Sequence, residues 1–162
     1  MTRHSPALYR TALDLVTARQ RDEYEVFTEV LDELTVEYAG LGVLGVFAVT
    51  NLSVRQASVI GQCPASRVLG GLHVEPVPAA QPVVPAVLTL LYTALEDLAE
   101  ASSIARDLGA GDDAEPAMVV LADVSIAMAE RLTAFSGLPA PQVIASWRQQ
   151  VEHRLADDTW AA

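Results

Sequence analysis

Apolar residues recur along most of the chain at the three- and four-residue spacing of amphipathic helices. The most regular series, typical of helices that pack lengthwise, comprises Tyr24, Phe27, Leu31, Leu34 and Tyr38. Neither glycine nor proline occurs between residues 7 and 39, so the pattern predicts a long amphipathic N-terminal helical region. This region starts at the capping residue Ser5 and either continues through residues 19–21 or bends there.

Glycine and proline divide the next part of the chain into two segments. Residues 41–61 are apolar with spaced glycines. They are predicted to form a buried helix, since polar and glycine positions interrupt the run of about 20 apolar residues that a membrane span needs. Residues 62–84 are rich in proline and glycine, which allows a short helix at residues 65–69 within a connection that crosses the surface.

The C-terminal half again has helical periodicity. Three helices are predicted within residues 85–158, the first covering 85–108, with stops at Gly109 and Gly137. Strand-like alternation is sparse along the whole chain. The sequence therefore predicts an all-α, single-domain bundle of five to six helices over residues 1–162, with N-terminal helices, a Pro/Gly-rich connection and C-terminal helices.

The composition excludes several kinds of chemistry. The chain has no lysine, and all ten basic residues are arginine, so mechanisms that need a lysine amine are excluded. Together with abundant alanine and scarce asparagine, this favours a bacterial genome of high GC content. The single cysteine, Cys63, excludes an internal disulfide and a multi-cysteine metal site. It favours a reducing cytoplasm, and the N-terminal residues lack the apolar core of a secretory signal.

The charge of the chain is strongly asymmetric. The net charge is −11 and the arginines are dispersed, which argues against nucleic-acid binding. The acidic row, on one predicted helix face, comprises Asp22, Glu25, Glu29, Glu33 and Glu37. Like charges at four-residue spacing slightly destabilise a helix. The row is either a solvated outer face or a docking face for an arginine-rich partner or a second subunit. A metal site is disfavoured because no histidine lies among the carboxylates.

The most apolar predicted helix, residues 116–136, has Asp123 as its only charged residue between Glu115 and Glu130. This helix is apolar nearly all round, which predicts a central helix or an oligomer interface. Because a buried carboxylate needs a partner, Asp123 is expected to pair with Arg131 or with an arginine of another helix. The alternative is a pocket for a cationic or hydroxylated ligand. The candidate pocket residues are Asp123, Trp147, Tyr92 and Phe135.

Two motifs match functional patterns weakly. The spacing G-x-G-x-x-G of a dinucleotide-binding loop is formed by Gly40, Gly42 and Gly45, but no strand precedes them and no acidic residue follows at the required distance. These glycines are expected to break a helix or to let helices approach closely. A possible nucleophile, base and acid fall within thirteen residues, namely Cys63, His73 and Glu75. Residues so close along an irregular segment rarely converge into a catalytic site.

These features favour a non-catalytic protein–protein interaction or assembly module. We expect it to be cytoplasmic and homo-oligomeric, most simply a homodimer, with apolar helix faces for self-association and the acidic row for a basic protein partner. The alternative is a small-ligand-binding helical domain with a pocket between helices near Asp123 and Trp147. No cofactor, metal, nucleic acid or membrane is expected to take part.

Overall fold

A computed structural model describes residues 6–156 of the protein, and within this range it contains helices and no strand. The α-helices are α1 (Pro6–Gln20), α2 (Tyr24–Val36), α3 (Gly42–Ile60), α4 (Ala65–Gly70), α5 (Val84–Glu96), α6 (Leu98–Ala110), α7 (Ala114–Ser136) and α8 (Ala140–Ala156). A 3₁₀ turn at Pro78–Val83 precedes α5. The all-α prediction is confirmed, whereas the predicted number of helices is wrong, since this range contains eight. The predicted start at Ser5 and the last predicted helical positions, 157 and 158, lie outside the described residues.

Two helix breaks and the short α4 account for the larger number of helices. The N-terminal helical region ends and restarts at residues 21–23, where Asp22 has a φ of +57°, a left-handed conformation that aspartate adopts more readily than most residues. The helix predicted at 85–108 is two helices, because Asp97 is extended, with φ −143° and ψ 99°. Its carboxylate accepts a hydrogen bond from the Glu100 backbone N–H at 3.0 Å, so Asp97 caps the N-terminus of α6.

The long helices α3 and α7 pack against each other at the centre of the bundle. Thr50 of α3 and Ser125 of α7 are fully buried between them, with their hydroxyl oxygens 2.9 Å apart. Both hydroxyls also lie 3.1 Å from the carbonyl oxygen of Leu121. Because these buried hydroxyls have hydrogen-bond partners, they add polar contacts to the helix crossing without leaving an unsatisfied group.

The glycines at positions 40, 42 and 45 serve the fold in two ways. Gly40 has a φ of +79° in the turn before α3, a conformation open to glycine without steric cost. A Cβ atom at Gly42 would lie 2.8 Å from the carbonyl oxygen of Leu34 in α2, and one at Gly45 would lie 2.8 Å from the Leu8 side chain in α1. Both expected roles are therefore present: Gly40 turns the chain, and the other two glycines let α1 and α2 approach α3.

The remaining helices surround the α3–α7 pair. The first helix packs on α2, α3, α7 and α8, while α6 packs on α3 and α5. Trp147 of α8 is fully buried, and its indole N–H donates to the side-chain oxygen of Gln56 in α3. At the surface between α1 and α8, Arg10 donates to both carboxylate oxygens of Glu152, at 2.6 and 2.9 Å. These hydrogen bonds lower the pKa of Glu152 below its ordinary value.

Two segments are long and apolar enough, by those criteria alone, to cross a membrane: α3 and residues 78–96. This is weak evidence, because core helices of globular proteins have the same length and composition. Most of α3 is buried among the other helices, which agrees with the buried helix predicted for residues 41–61.

Candidate functional site

Helix α2 is attached to the bundle along one stripe and leaves its other side exposed. Phe27, Leu31 and Leu34 are buried where α2 packs on α1 and α7. They are the central members of the predicted apolar series. The end members differ from them, since Tyr24 is 76% exposed and Tyr38 is half-buried beyond the end of the helix.

The predicted acidic row lies on the exposed side of α2 and at its two ends. Four of the five carboxylates are exposed and the Glu33 carboxylate is half-buried; the exposed ones are Asp22, Glu25, Glu29 and Glu37. In the part of the chain that the structure describes, none of the five forms an ion pair. The closest ion pair along the chain joins Arg21 and Glu23 at 3.9 Å. The row is therefore a negative surface that no ion pair neutralises within residues 6–156.

Two exposed valines lie among these carboxylates. Val26 precedes Glu29 by three residues and Val36 follows Glu33 by three, so each valine shares a helix face with an acidic side chain. Val36 is 74% exposed and Val26 is 42% exposed. We define the acidic α2 surface as Asp22, Glu25, Val26, Glu29, Glu33, Val36 and Glu37. It combines negative charge with apolar area.

The carboxylate of Asp123, in the middle of α7, is paired with a residue of α1. The Arg19 guanidinium donates from Nε to Oδ1 at 2.9 Å and from Nη2 to Oδ2 at 3.5 Å. The Asp123 side chain is 15% exposed, and the Arg19 guanidinium carbon lies 5.2 Å from the centre of the Phe27 ring. The partner of Asp123 is thus an arginine of another helix, one of the two predicted options, and not Arg131. The pair connects α1, α2 and α7.

The other members of the predicted ligand pocket have separate environments. Trp147 is buried and bonded to Gln56. Tyr92 is 41% exposed, with its hydroxyl 3.8 Å from the position of a Cβ atom at Gly70. Phe135 is 53% exposed. The neighbours of these three side chains therefore differ from those of Asp123, which pairs with Arg19.

The ends of α3 and α7 expose a group of larger apolar side chains. We define this apolar end as Ile60, Phe135 and Leu138, which are 45%, 53% and 48% exposed. Beside the Phe135 ring lies Arg131, with its guanidinium carbon 5.9 Å from the ring centre. Arg131 Nη2 approaches the Cys63 sulfur at 3.9 Å, while its Nε is buried without a hydrogen-bond partner. The apolar end is a second candidate surface.

A cavity of about 110 Å³ lies between α1, α3, α6 and α8. One face of α3 forms its longest wall, and its residues are Leu44, Phe47, Ala48, Asn51, Leu52 and Arg55; the other walls contribute Tyr9, Leu98, Ser102 and Arg154. Sequence reasoning missed this site. A signal was present, because Asn51 is the only asparagine of the chain and Arg55 follows it by one helical turn.

The possible nucleophile, base and acid do not come together. Cys63 lies beside Arg131, whereas the side chains of His73 and Glu75 are each 91% exposed, with His73 Nε2 3.9 Å from Glu75 Oε1. Among residues 6–156, no group of three or more His, Cys, Asp or Glu side chains is positioned to hold a metal ion. These residues therefore contribute no candidate site.

The geometry leaves three features as candidate sites. They are the acidic α2 surface, the apolar end and the cavity beside α3. Any function has to be inferred from the chemistry of these features. Comparison of the chain with protein-family models, with curated proteins and with solved structures finds no match.

Proposed function

We propose that this protein is a non-catalytic interaction module that binds a basic amphipathic helix of another protein through the acidic α2 surface. The observation that carries the proposal is that α2 presents unpaired carboxylates and exposed valines together, on the side away from its buried stripe. The carboxylates favour arginine or lysine side chains by charge complementarity. The valines add apolar area whose burial contributes to affinity.

The spacing of the carboxylates suits a helical partner. From Glu25 to Glu37 the row extends over twelve residues, which is about 18 Å of helix at 1.5 Å per residue. Basic residues at four-residue spacing on a partner helix repeat with the same rise. Helices pack with axes about 8–10 Å apart, within reach of arginine side chains. The net charge of −11 would also accelerate encounter with a basic segment.

The proposal is tested with a synthetic helical peptide that has arginine at every fourth position and leucine between the arginines. Its binding is measured by fluorescence anisotropy at several salt concentrations. We expect the double variant Glu29→Gln and Glu33→Gln to weaken binding about tenfold, since each exposed ion pair contributes up to about 1 kcal/mol. The loss should shrink at high salt, because salt screens exposed charges.

A matched variant separates site recognition from net charge. Glu96→Gln with Glu100→Gln removes two exposed charges from α5 and α6 and is expected to change affinity less than about twofold, since solvent and salt screen distant charges. Val36→Ser should weaken binding without changing its salt dependence. If the two double variants weaken binding equally, the peptide responds only to net charge and the proposed site is refuted.

Self-association, which the sequence predicts, stays a prediction. The apolar character of two long helices suggested it, and in α3 and α7 that character is accounted for by burial within the chain. The apolar end is the surface that would serve a second copy. Sedimentation of the unliganded protein over a range of concentrations measures whether it does.

A further inference from the structure

We infer that the cavity between α1, α3, α6 and α8 binds a short- or branched-chain carboxylate, with Asn51 and Arg55 holding the carboxyl group. The site does not overlap the acidic α2 surface and does not depend on the proposed function. Its volume, the unpaired polar groups in its α3 wall and the charge of its lining each restrict the class of ligand.

The volume and the apolar lining define the hydrocarbon part of the ligand. Leu44, Phe47, Leu52 and Leu98 contribute apolar walls to a cavity of about 110 Å³. An engineered apolar cavity of about 150 Å³ holds benzene, with six carbons. By proportion, the cavity beside α3 holds about four or five carbons, which is the size of a short or branched aliphatic chain.

Two polar side chains of the cavity have no partner among the residues that the structure describes. Asn51 is half-buried in the middle of α3, and among the described residues its side-chain amide makes no hydrogen bond. Arg55 is exposed and forms no ion pair within that same range. Asparagine is a poor helix former, so the fold itself gains nothing evident from Asn51. Because residues four apart share a helix face, both side chains belong to the same wall.

The charge of the lining selects an anion. The chain has 21 acidic residues and ten arginines. Among residues 6–156, however, two arginines and no acidic residue line this cavity; the arginines are Arg55 and Arg154. A guanidinium binds a carboxylate through two parallel hydrogen bonds, and an asparagine amide can donate a further one. An aliphatic tail in the cavity with a carboxylate at its mouth satisfies both the apolar and the polar part of the site.

The test uses isovalerate, which has four carbons beyond its carboxyl group, and its neutral analogue isovaleramide. Each is titrated into the isotopically labelled protein to about 10 mM, at which a ligand with a Kd of about 1 mM fills about 90% of the sites. We expect isovalerate to shift the backbone amide signals of Ala48, Asn51 and Ser102. Isovaleramide and the variant Arg55→Gln should each reduce affinity about tenfold, since hydrogen bonds to charged groups are the strong ones.

Two further variants complete the test. Arg67→Gln removes an exposed arginine that does not line the cavity and should leave isovalerate affinity unchanged. Ala48→Leu should fill the cavity and abolish binding. If that variant fails to fold, Arg55→Gln still tests the inference, because Arg55 is exposed and its substitution should leave the fold intact. The inference is overturned if isovalerate shifts none of the three signals, if the amide binds as well as the acid, or if Arg55→Gln binds isovalerate with unchanged affinity.

Discussion

Helices α7 and α2 use their apolar side chains in different ways. In α7, buried residues lie on several faces, and residues off its main stripe such as Val119 and Ile126 also pack against the core. In α2, burial is confined to Phe27, Leu31 and Leu34. The difference indicates that α7 contributes more buried apolar side chains to the core than α2 does. One side of α2 is left to interact with solvent or a partner, so changes there can alter binding while the fold persists.

The largest expected effect is a loss of stability in α7 that has no counterpart on the exposed side of α2. Leu121 is fully buried and Val36 is 74% exposed. Leu121→Ala should lower the free energy of unfolding by about 2–5 kcal/mol, because it removes buried methyl groups and leaves a cavity. Val36→Ala should change it by no more than about 0.5 kcal/mol. Urea unfolding followed by far-UV circular dichroism measures both, and similar losses would contradict the division between the two helices.

An intermediate effect is expected where α7 and α2 meet through Arg19. Asp123→Asn leaves a partly buried guanidinium without its carboxylate, and we expect a loss of about 1–3 kcal/mol, between the values for exposed and buried ion pairs. Asp14→Asn is the control, since Asp14 is 52% exposed in its 2.8 Å pair with Arg148. Its expected loss is below about 1 kcal/mol. If both variants lose equal stability in urea unfolding, the Arg19 pair does not contribute beyond a surface ion pair.

The helical fold could be predicted from apolar spacing, but some helix ends could not. At Asp97 the sequence Asp97-Leu-Ala-Glu100 matches a helix-capping pattern, yet the apolar spacing continues across it and favours one long helix. At Asp97, the free energy of ending α5 and capping α6 differs little from that of continuing a single helix. The packing of α5 against α6 therefore decides between these two conformations. Asp22 is a similar position, since nothing in its local sequence requires a left-handed backbone.

The candidate sites differ in how far they could be predicted from the sequence. Exposure of the acidic row follows from its spacing opposite the stripe of Phe27, Leu31 and Leu34, so local periodicity was sufficient. The partner of Asp123 lies 104 residues away, and only the packing of α1 on α7 selects Arg19 among ten arginines. The cavity beside α3 likewise results from how four helices meet, which no single segment of the sequence specifies.

The smallest expected effect is a gain in stability, opposite in sign to the loss expected for Leu121→Ala. It separates the two interpretations of the acidic row. Glu29 has glutamates four residues before and after it, and each like-charge pair destabilises a helix by about 0.2–0.5 kcal/mol. Glu29→Gln should therefore stabilise the protein by about 0.5 kcal/mol in urea unfolding, whereas Glu130→Gln should not, because no acidic residue lies four positions from the exposed Glu130. If the row is a solvated face, the variant is more stable and its affinity for the arginine peptide is unchanged. If the acidic α2 surface binds a basic helix, the same variant is more stable and binds the arginine peptide more weakly, since the repulsion that costs stability is the charge density that attracts the partner. A more stable Glu29→Gln protein with unchanged peptide affinity would identify the row as a solvated face.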